Sequence, residues 1–487
     1  MDLVLVYMLS VTLCLQQLHS IQTAAVAVVA AYHAVSIVTA LFLSNPGFRR
    51  FWGVAWVRRD GETMAEAVER MMRPPDEGGN PEQFRRLFRM QPSTFEAFAG
   101  YLWRKTQQPA SDDNLFGTKK TGRRRQSLVF RSRLLMTIWY LAHGPSLLAL
   151  GAQWDRPTID ARALLIDEIA ACRDDWIQWP TGRDLRDMME GMSLLLSRHP
   201  EQEHGFQTCV GPCDGTFVKI NRPGAYTHDG GAEHNTYKLY YAIQIFLVCA
   251  PNLLITYAHT GMPGSRADSF ILQSSDLYLN VDKYIPPGSG GYLLGDAGML
   301  LMVWLMTPVA AAAWKTIDNV RRRMLEVYDA AQKSARVKAE CCIGVLKGRW
   351  RILHNGMSCH LPQTTATTVA CMVLHNICIL HDDIWHFTYK ASSTNKDEDT
   401  WQFTATGDSF TRKELDLGTQ PTSFTLMVHP DKRGTDPDPP VQPVQRKDQV
   451  KAAKQRQEEI MAGLCPSLAR ARKEKLAAAA LARALQE

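Results

Sequence analysis

The sequence predicts an α/β protein, and three observations predict it. The hydrophobic period changes near Gly211: upstream segments repeat apolar residues at helical spacings, whereas 217–220, 240–248, 253–259 and 291–294 are short runs of strand type. Helical patterns resume at 268–272, 331–351 and 367–380, so strands come first and helices follow. A length of 487 residues with 45% hydrophobic residues suffices for a large core and excludes bulk disorder.

Taken in order, residues 1–48 form an apolar N-terminal extension. Positions 3–45 hold no Lys, Arg or Glu, and 24–43 is long enough to cross a bilayer. No basic residue precedes the first apolar stretch, and the segment is Ala-rich with His33 and Ser36, so a buried pair of helices or an upstream gene-model extension is expected there rather than a membrane anchor or signal sequence.

Residues 49–200 read as a helical region. Phe84, Leu87, Phe88, Phe95, Phe98 and Leu102 recur on helical faces, and Pro92-Ser93-Thr94 is a helix entry. A polar stretch at 104–127 carries most of a basic run, with Lys119, Lys120, Arg123, Arg124, Arg125, Arg131 and Arg133 inside fifteen positions. Such a run is either a solvated loop or a phosphate-contacting arm. Three short helices at 128–141, 146–154 and 158–172 then suit a helix-turn-helix unit in size, although three short helices also make ordinary packing domains.

Residues 201–383 hold the α/β unit, with Pro251-Asn252 as the hairpin turn between its middle strands. Residues 384–446 are rich in Thr, Asp and Pro and read as a disordered linker; 447–487 is a charged, Ala-rich helical tail, either solvated or packed on a partner. Eleven cysteines without paired CxxC spacings read as reduced, mostly buried thiols. The formal charge of +6 leans weakly towards an anionic partner.

Two carboxylates sit beside apolar strand runs: Asp214 at the expected start of the first strand and Asp296 where the run 291–294 ends. A sheet fixes acids at such places, which suits metal geometry. Hard oxygen donors suit Mg2+ or Mn2+, and two such ions about 4 Å apart serve phosphodiester cleavage. Glu340, on a helix, completes the set; alone it reads as a solvated helix residue, and Asp214-Gly215 alone reads as a turn. Lys219, Arg336 and Lys347 are cations suited to phosphate, or to plain helix pairing. Asp268, in the tight turn 263–269, is a helix cap or an accessory acid that orients a ligand.

These pieces together resemble the PIF/Harbinger transposase superfamily and its domesticated nuclease-like relatives, which carry a DDE endonuclease domain. The motifs are Asp214-Gly215-Thr216-Phe217-Val218-Lys219-Ile220-Asn221-Arg222-Pro223, Pro263 to Ser269, Leu293 to Met299, Trp304 to Pro308, Ser334-Ala335-Arg336 with Glu340, Gly344 to Leu353, and Cys371 to Asn376, with Phe88-Arg89-Met90 upstream. The likeness covers about residues 49–382. It implies an RNase H-like DDE nuclease core after an N-terminal helical domain, with Asp214, Asp296 and Glu340 as catalytic metal ligands and Asp268 as an accessory position. It also implies cleavage of double-stranded DNA at terminal inverted repeats, followed by joining to a target, nuclear localisation and a Myb-like DNA-binding partner protein. A homo-oligomer is compatible with the sequence, and a membrane role is not expected.

Departures from the family pattern are Phe217 and Ala267 where histidines are usual, and Met299 in place of Tyr. Forty-three residues lie between Asp296 and Glu340, more than the family's usual spacing. All three acids are kept. The alternative expectation is a domesticated DNA-binding or scaffold protein whose chemistry has decayed.

Overall fold

The computed structural model describes residues 64–106, 130–154, 164–197, 199–223, 231–309, 317–357, 360–383, 387–390, 400–403, 409–411 and 447–484. The chain divides into two units, Met1–Glu69 and Arg70–Glu487. Of the first unit only the opening of helix α1 (Met64–Met72) is described; the apolar stretch at 24–43 lies outside the described residues.

The second unit is built on a five-stranded sheet in the order β3-β2-β1-β4-β5. Strands β1 (Cys209–Lys219), β2 (Ala242–Cys249) and β3 (Ile255–Pro263) are antiparallel, joined between β2 and β3 by the expected turn at Pro251-Asn252. Strands β4 (Tyr292–Leu294) and β5 (Leu305–Met306) add on in parallel. β1 begins well before the expected position, so Asp214 lies mid-strand rather than at its start. Gly211-Pro212 conceals the extension: proline cannot donate to a ladder, yet Pro212 pairs with Leu294 across the parallel edge.

Side chains alternate between two cores, as strand geometry requires. Cys209, Tyr292, Leu294 and Met306 face one, with Tyr328 and Ala331 of the long helix α10. Val210, Cys213, Phe246, Val248, Leu293 and Leu305 face the other, with Ile271 and Leu272 of the short helix α9.

The helices before the sheet are α2 (Pro81–Phe88), α3 (Pro92–Thr106), α4 (Phe130–His143), α5 (Leu147–Gln153), α6 (Ile166–Ala170), α7 (Arg173–Trp176) and α8 (Gly182–Ser193). After β3 come α9 (Asp268–Gln273), two one-turn helices at Asp276–Leu279 and Val281–Tyr284, α10 (Asn319–Arg349), α11 (Ile352–Asn355) and α12 (Leu361–Leu380). Of the three helices expected between 128 and 172, two are found; of the third the described residues show α6, and 155–163 lies outside them.

The helical region does not stand apart from the sheet. Arg89 donates to the Gly348 carbonyl at 2.5 Å, the Gln91 amide donates to Asp383 at 2.5 Å, and Asn376 of α12 bonds both the Trp176 carbonyl and the backbone of Ile255. Helix α12 is apolar enough to cross a membrane by length and composition, but 67% of its apolar window is buried inside the fold. Within the basic run, Arg131 is ion-paired with Glu96, and 119–125 lies outside the described residues.

The C-terminal stretch is helical as expected, and its first helix is packed rather than solvated. Helices α13 (Lys447–Leu464) and α14 (Pro466–Ala484) fold back on α10, burying Ile460, Met461, Leu464 and Cys465 beside Phe206 and Tyr328. Gln457 donates to the Thr307 carbonyl at 2.7 Å. Three short strands, Phe387–Lys390, Thr400–Phe403 and Ser409–Thr411, pair into a separate sheet where a linker was expected.

Candidate active site

Asp214 projects from β1 on the side packed by α10. There Arg336 and Glu340, four residues apart, share a helix face. Asp296 follows β4 directly, and its neighbours fix it: the Gly295 amide donates to the Met306 carbonyl at 2.9 Å, and Gln332 of α10 donates to the Gly295 carbonyl at 2.7 Å. The 31-residue helix α10 thus both braces the Asp296 loop and supplies the opposing side chains.

One guanidinium joins the two aspartates. Arg336 lies 2.7 Å from Asp296 Oδ1 and 3.8 Å from Asp214 Oδ2, with its side chain 16% exposed. Burial works against the arginine's charge, but Asp214, Asp296 and Glu340 outweigh it and raise its pKa. Burial also pushes Asp214 up to about 7, helped by Glu340 and Asp296 and opposed by Arg336.

Asp268 enters from the opposite face of the sheet. It is 2% exposed, accepts from Gln244 Nε2 at 3.2 Å, and its Oδ2 has no hydrogen-bond partner. Its place depends on Gly215, because a Cβ there would stand 2.3 to 2.4 Å from all three carboxyl atoms. Gly215 therefore lets a buried acid press on the strand beside Asp214, which accounts for the Asp-Gly pair better than a turn does. Burial raises the Asp268 pKa well above the carboxylate range, and the charges of Asp214 and Asp296 add to it.

Gln244 escaped the sequence reading, although one amide within the apolar run 242–249 was the visible signal. Two expected accessory cations lie elsewhere. Lys347 is buried, donates to the Phe217 carbonyl at 2.6 Å, and has its pKa lowered by burial and by Lys238 and Lys219. Lys219 ends β1 with its ammonium 5.0 Å from the Tyr240 ring centre. The altered positions are apolar fillers: Phe217 packs on Tyr237 and Tyr240, and Met299 is buried with its sulfur 3.9 Å from Cys213 Sγ.

Among the described residues no three His, Cys, Asp or Glu side chains form a ready ligand set for one ion. The donor chemistry nonetheless fits a hard divalent cation. Asp214 and Asp296 already share one positive group, so the guanidinium stands in for an ion, and Glu340 lies one turn along the helix.

A mixed sheet holds carboxylates from β1 and from the end of β4 against one helix. Residues 213–376 match the family described as DDE superfamily endonuclease. Members of that superfamily generally depend on a divalent metal.

A Rattus norvegicus protein named "Putative nuclease HARBI1" is 27% identical over 185 residues, 37% of this chain and 49% of its own. Its Homo sapiens counterpart is 28% identical over the same length. "Protein ALP1-like" of Arabidopsis thaliana is 22% identical over 325 residues, 62% of this chain and 72% of its own. The chain spans about half the length of the HARBI1 relatives it matches. No solved structure gave a significant match.

Proposed function

We propose that the chain is a divalent-metal-dependent DNA endonuclease of transposase descent, built on an RNase H-like core and acting in the nucleus on double-stranded DNA at terminal inverted repeats. The observation that carries the reading is the sharing of one cation by Asp214 and Asp296, with Glu340 a turn away. Asp214, Asp296 and Glu340 would hold Mg2+ or Mn2+, as two ions. Bound there, such ions lower the pKa of the attacking water or 3′-hydroxyl and neutralise the leaving oxygen.

The side chains divide the remaining tasks. Asp268, held by Gln244, fixes the strand beside Asp214 from behind. Arg336, once released from the aspartates, would be free to meet a phosphate oxygen. Strand transfer to a target and assistance from a Myb-like protein belong to the same reading. A decayed DNA-binding scaffold is the second reading, favoured by the apolar Phe217 and Met299 where polar rings are usual in the family.

Incubating the full-length protein with the flanking genomic inverted repeats and Mg2+, beside Asp214→Ala, separates the two. Cut products from the wild type alone support the nuclease; equal products from both proteins discard the catalytic assignment.

The raised pKa of Asp214 also sets a pH dependence. In the metal-free protein Asp214 keeps its proton up to about pH 7, whereas its ordinary value is 3.8. A cation must displace that proton, so Mn2+ affinity rises with pH up to about 7 and then levels. The effect on metal-free stability runs the other way. The unfolded chain gives up the proton first, so stability falls as pH climbs from about 4 to about 7. Calorimetric Mn2+ titrations between pH 5.5 and 8 in two buffers of different ionisation enthalpy check this, with proton release expected only on the acid side.

A further inference from the structure

The turn between β1 and β2 ends in a side chain from which the folded protein gains nothing. Asn235 and Tyr241 form a bridge; the Thr236 amide and hydroxyl both donate to the Tyr240 carbonyl, at 2.8 and 2.9 Å, and the Leu239 amide closes onto Thr236 at 2.9 Å. Leu239 at the tip has φ +63°, the left-handed region that favours glycine, and is 87% exposed. It is the most exposed large apolar side chain among the described residues. Leucine here pays backbone strain without returning any buried surface, and strain of that kind is kept where a partner uses it.

The surroundings name the partner. Tyr237, 45% exposed, packs at 6.0 Å on Phe217, which in turn meets Tyr240 at 6.2 Å. Lys238 stands over Phe217 and Tyr237, Lys219 over Tyr240 and Arg222 over Tyr241. Rings interleaved with cations suit a polyanion that offers flat apolar faces. An exposed leucine on a braced turn is the shape that wedges between base pairs. Lys219 lies five residues beyond Asp214 on β1, roughly 17 Å along the strand.

We propose that the Thr236–Tyr240 turn is a DNA wedge: Leu239 enters a base step several pairs from the cut and unstacks it, while Tyr237 receives an exposed base face. The proposal rests on the reading of the chain as acting on DNA. Substrate that is already unpaired at that step escapes the unstacking cost.

Fluorescence anisotropy with the full-length protein in Ca2+ tests it, using a labelled duplex and the same duplex with two adjacent mismatched pairs. The wild type is expected to bind the mismatched duplex roughly tenfold more tightly. Leu239→Gly, whose backbone accepts the turn without strain, is expected to melt no lower than wild type and to bind both duplexes alike. Lys219→Gln and Lys238→Gln weaken both duplexes equally and shallow the salt dependence. A preference kept by Leu239→Gly, or absent from the wild type, overturns the wedge. So does a turn that binds an acidic protein instead, which would leave the two duplexes indistinguishable. If the wild type binds neither duplex, the reading of DNA as substrate falls with it; if it cuts DNA but shows no preference, the wedge alone falls.

Discussion

Arg336→Met is expected to tighten Mn2+ binding by at least about tenfold while lowering DNA cleavage. In the metal-free protein the guanidinium lies 2.7 Å from Asp296 and 3.8 Å from Asp214, so an entering ion must break both contacts. A charged hydrogen bond in a partly buried place is worth about 1.5–3 kcal/mol, which is roughly ten- to hundredfold in affinity. Methionine keeps much of the side chain's bulk and removes the competing charge. Cleavage should nonetheless fall, because under the proposed function the variant lacks the guanidinium that meets the phosphate as charge develops there. Calorimetry and a cleavage assay on the same preparation separate the two effects. Unchanged or weaker Mn2+ binding would show that Arg336 does not occupy the ion's place.

Gly215→Ala should be the most damaging single methyl in the site. It would stand 2.3 to 2.4 Å from the Asp268 carboxyl, which is buried and cannot move into solvent without disturbing α9. Overpacking of this kind costs about 1–3 kcal/mol, and the Gln244 bond goes with it. Cleavage is expected to drop at least about a hundredfold, since displacement of an ångström in a catalytic strand costs that much. Asp268→Ala removes the obstructing carboxyl, so the double variant should regain most of the stability lost by Gly215→Ala alone. Thermal melts of the four proteins give the coupling energy; strict additivity would refute the contact.

Much of this site was legible because its acids follow local rules. Asp296 ends an apolar run, and Arg336 and Glu340 share a helical face, so sequence spacing alone sets them side by side. What stayed hidden is non-local. The place of Asp268 depends on a side chain that Gly215 lacks, and the Arg336 bridge depends on two strands meeting one helix.

Lys347 misled because a lysine in a helical pattern reads as solvated. The end of α10, from Cys342 to Arg349, is instead buried on every side. Helix α13 shows the same effect: its alanines and charges leave a solvated and a packed helix both open, while Ala453, Ile460, Met461 and Leu464 form one buried stripe.

Under the proposed function Asp214, Asp296 and Glu340 gather to hold divalent cations. Titration of the full-length protein with Mn2+ at pH 7.5, followed by electron paramagnetic resonance beside Asp296→Asn, tests it most directly. The account predicts saturable loss of the free-ion signal in the wild type and at least about tenfold weaker binding in the variant. Equal binding by both proteins, or none by the wild type, would contradict it.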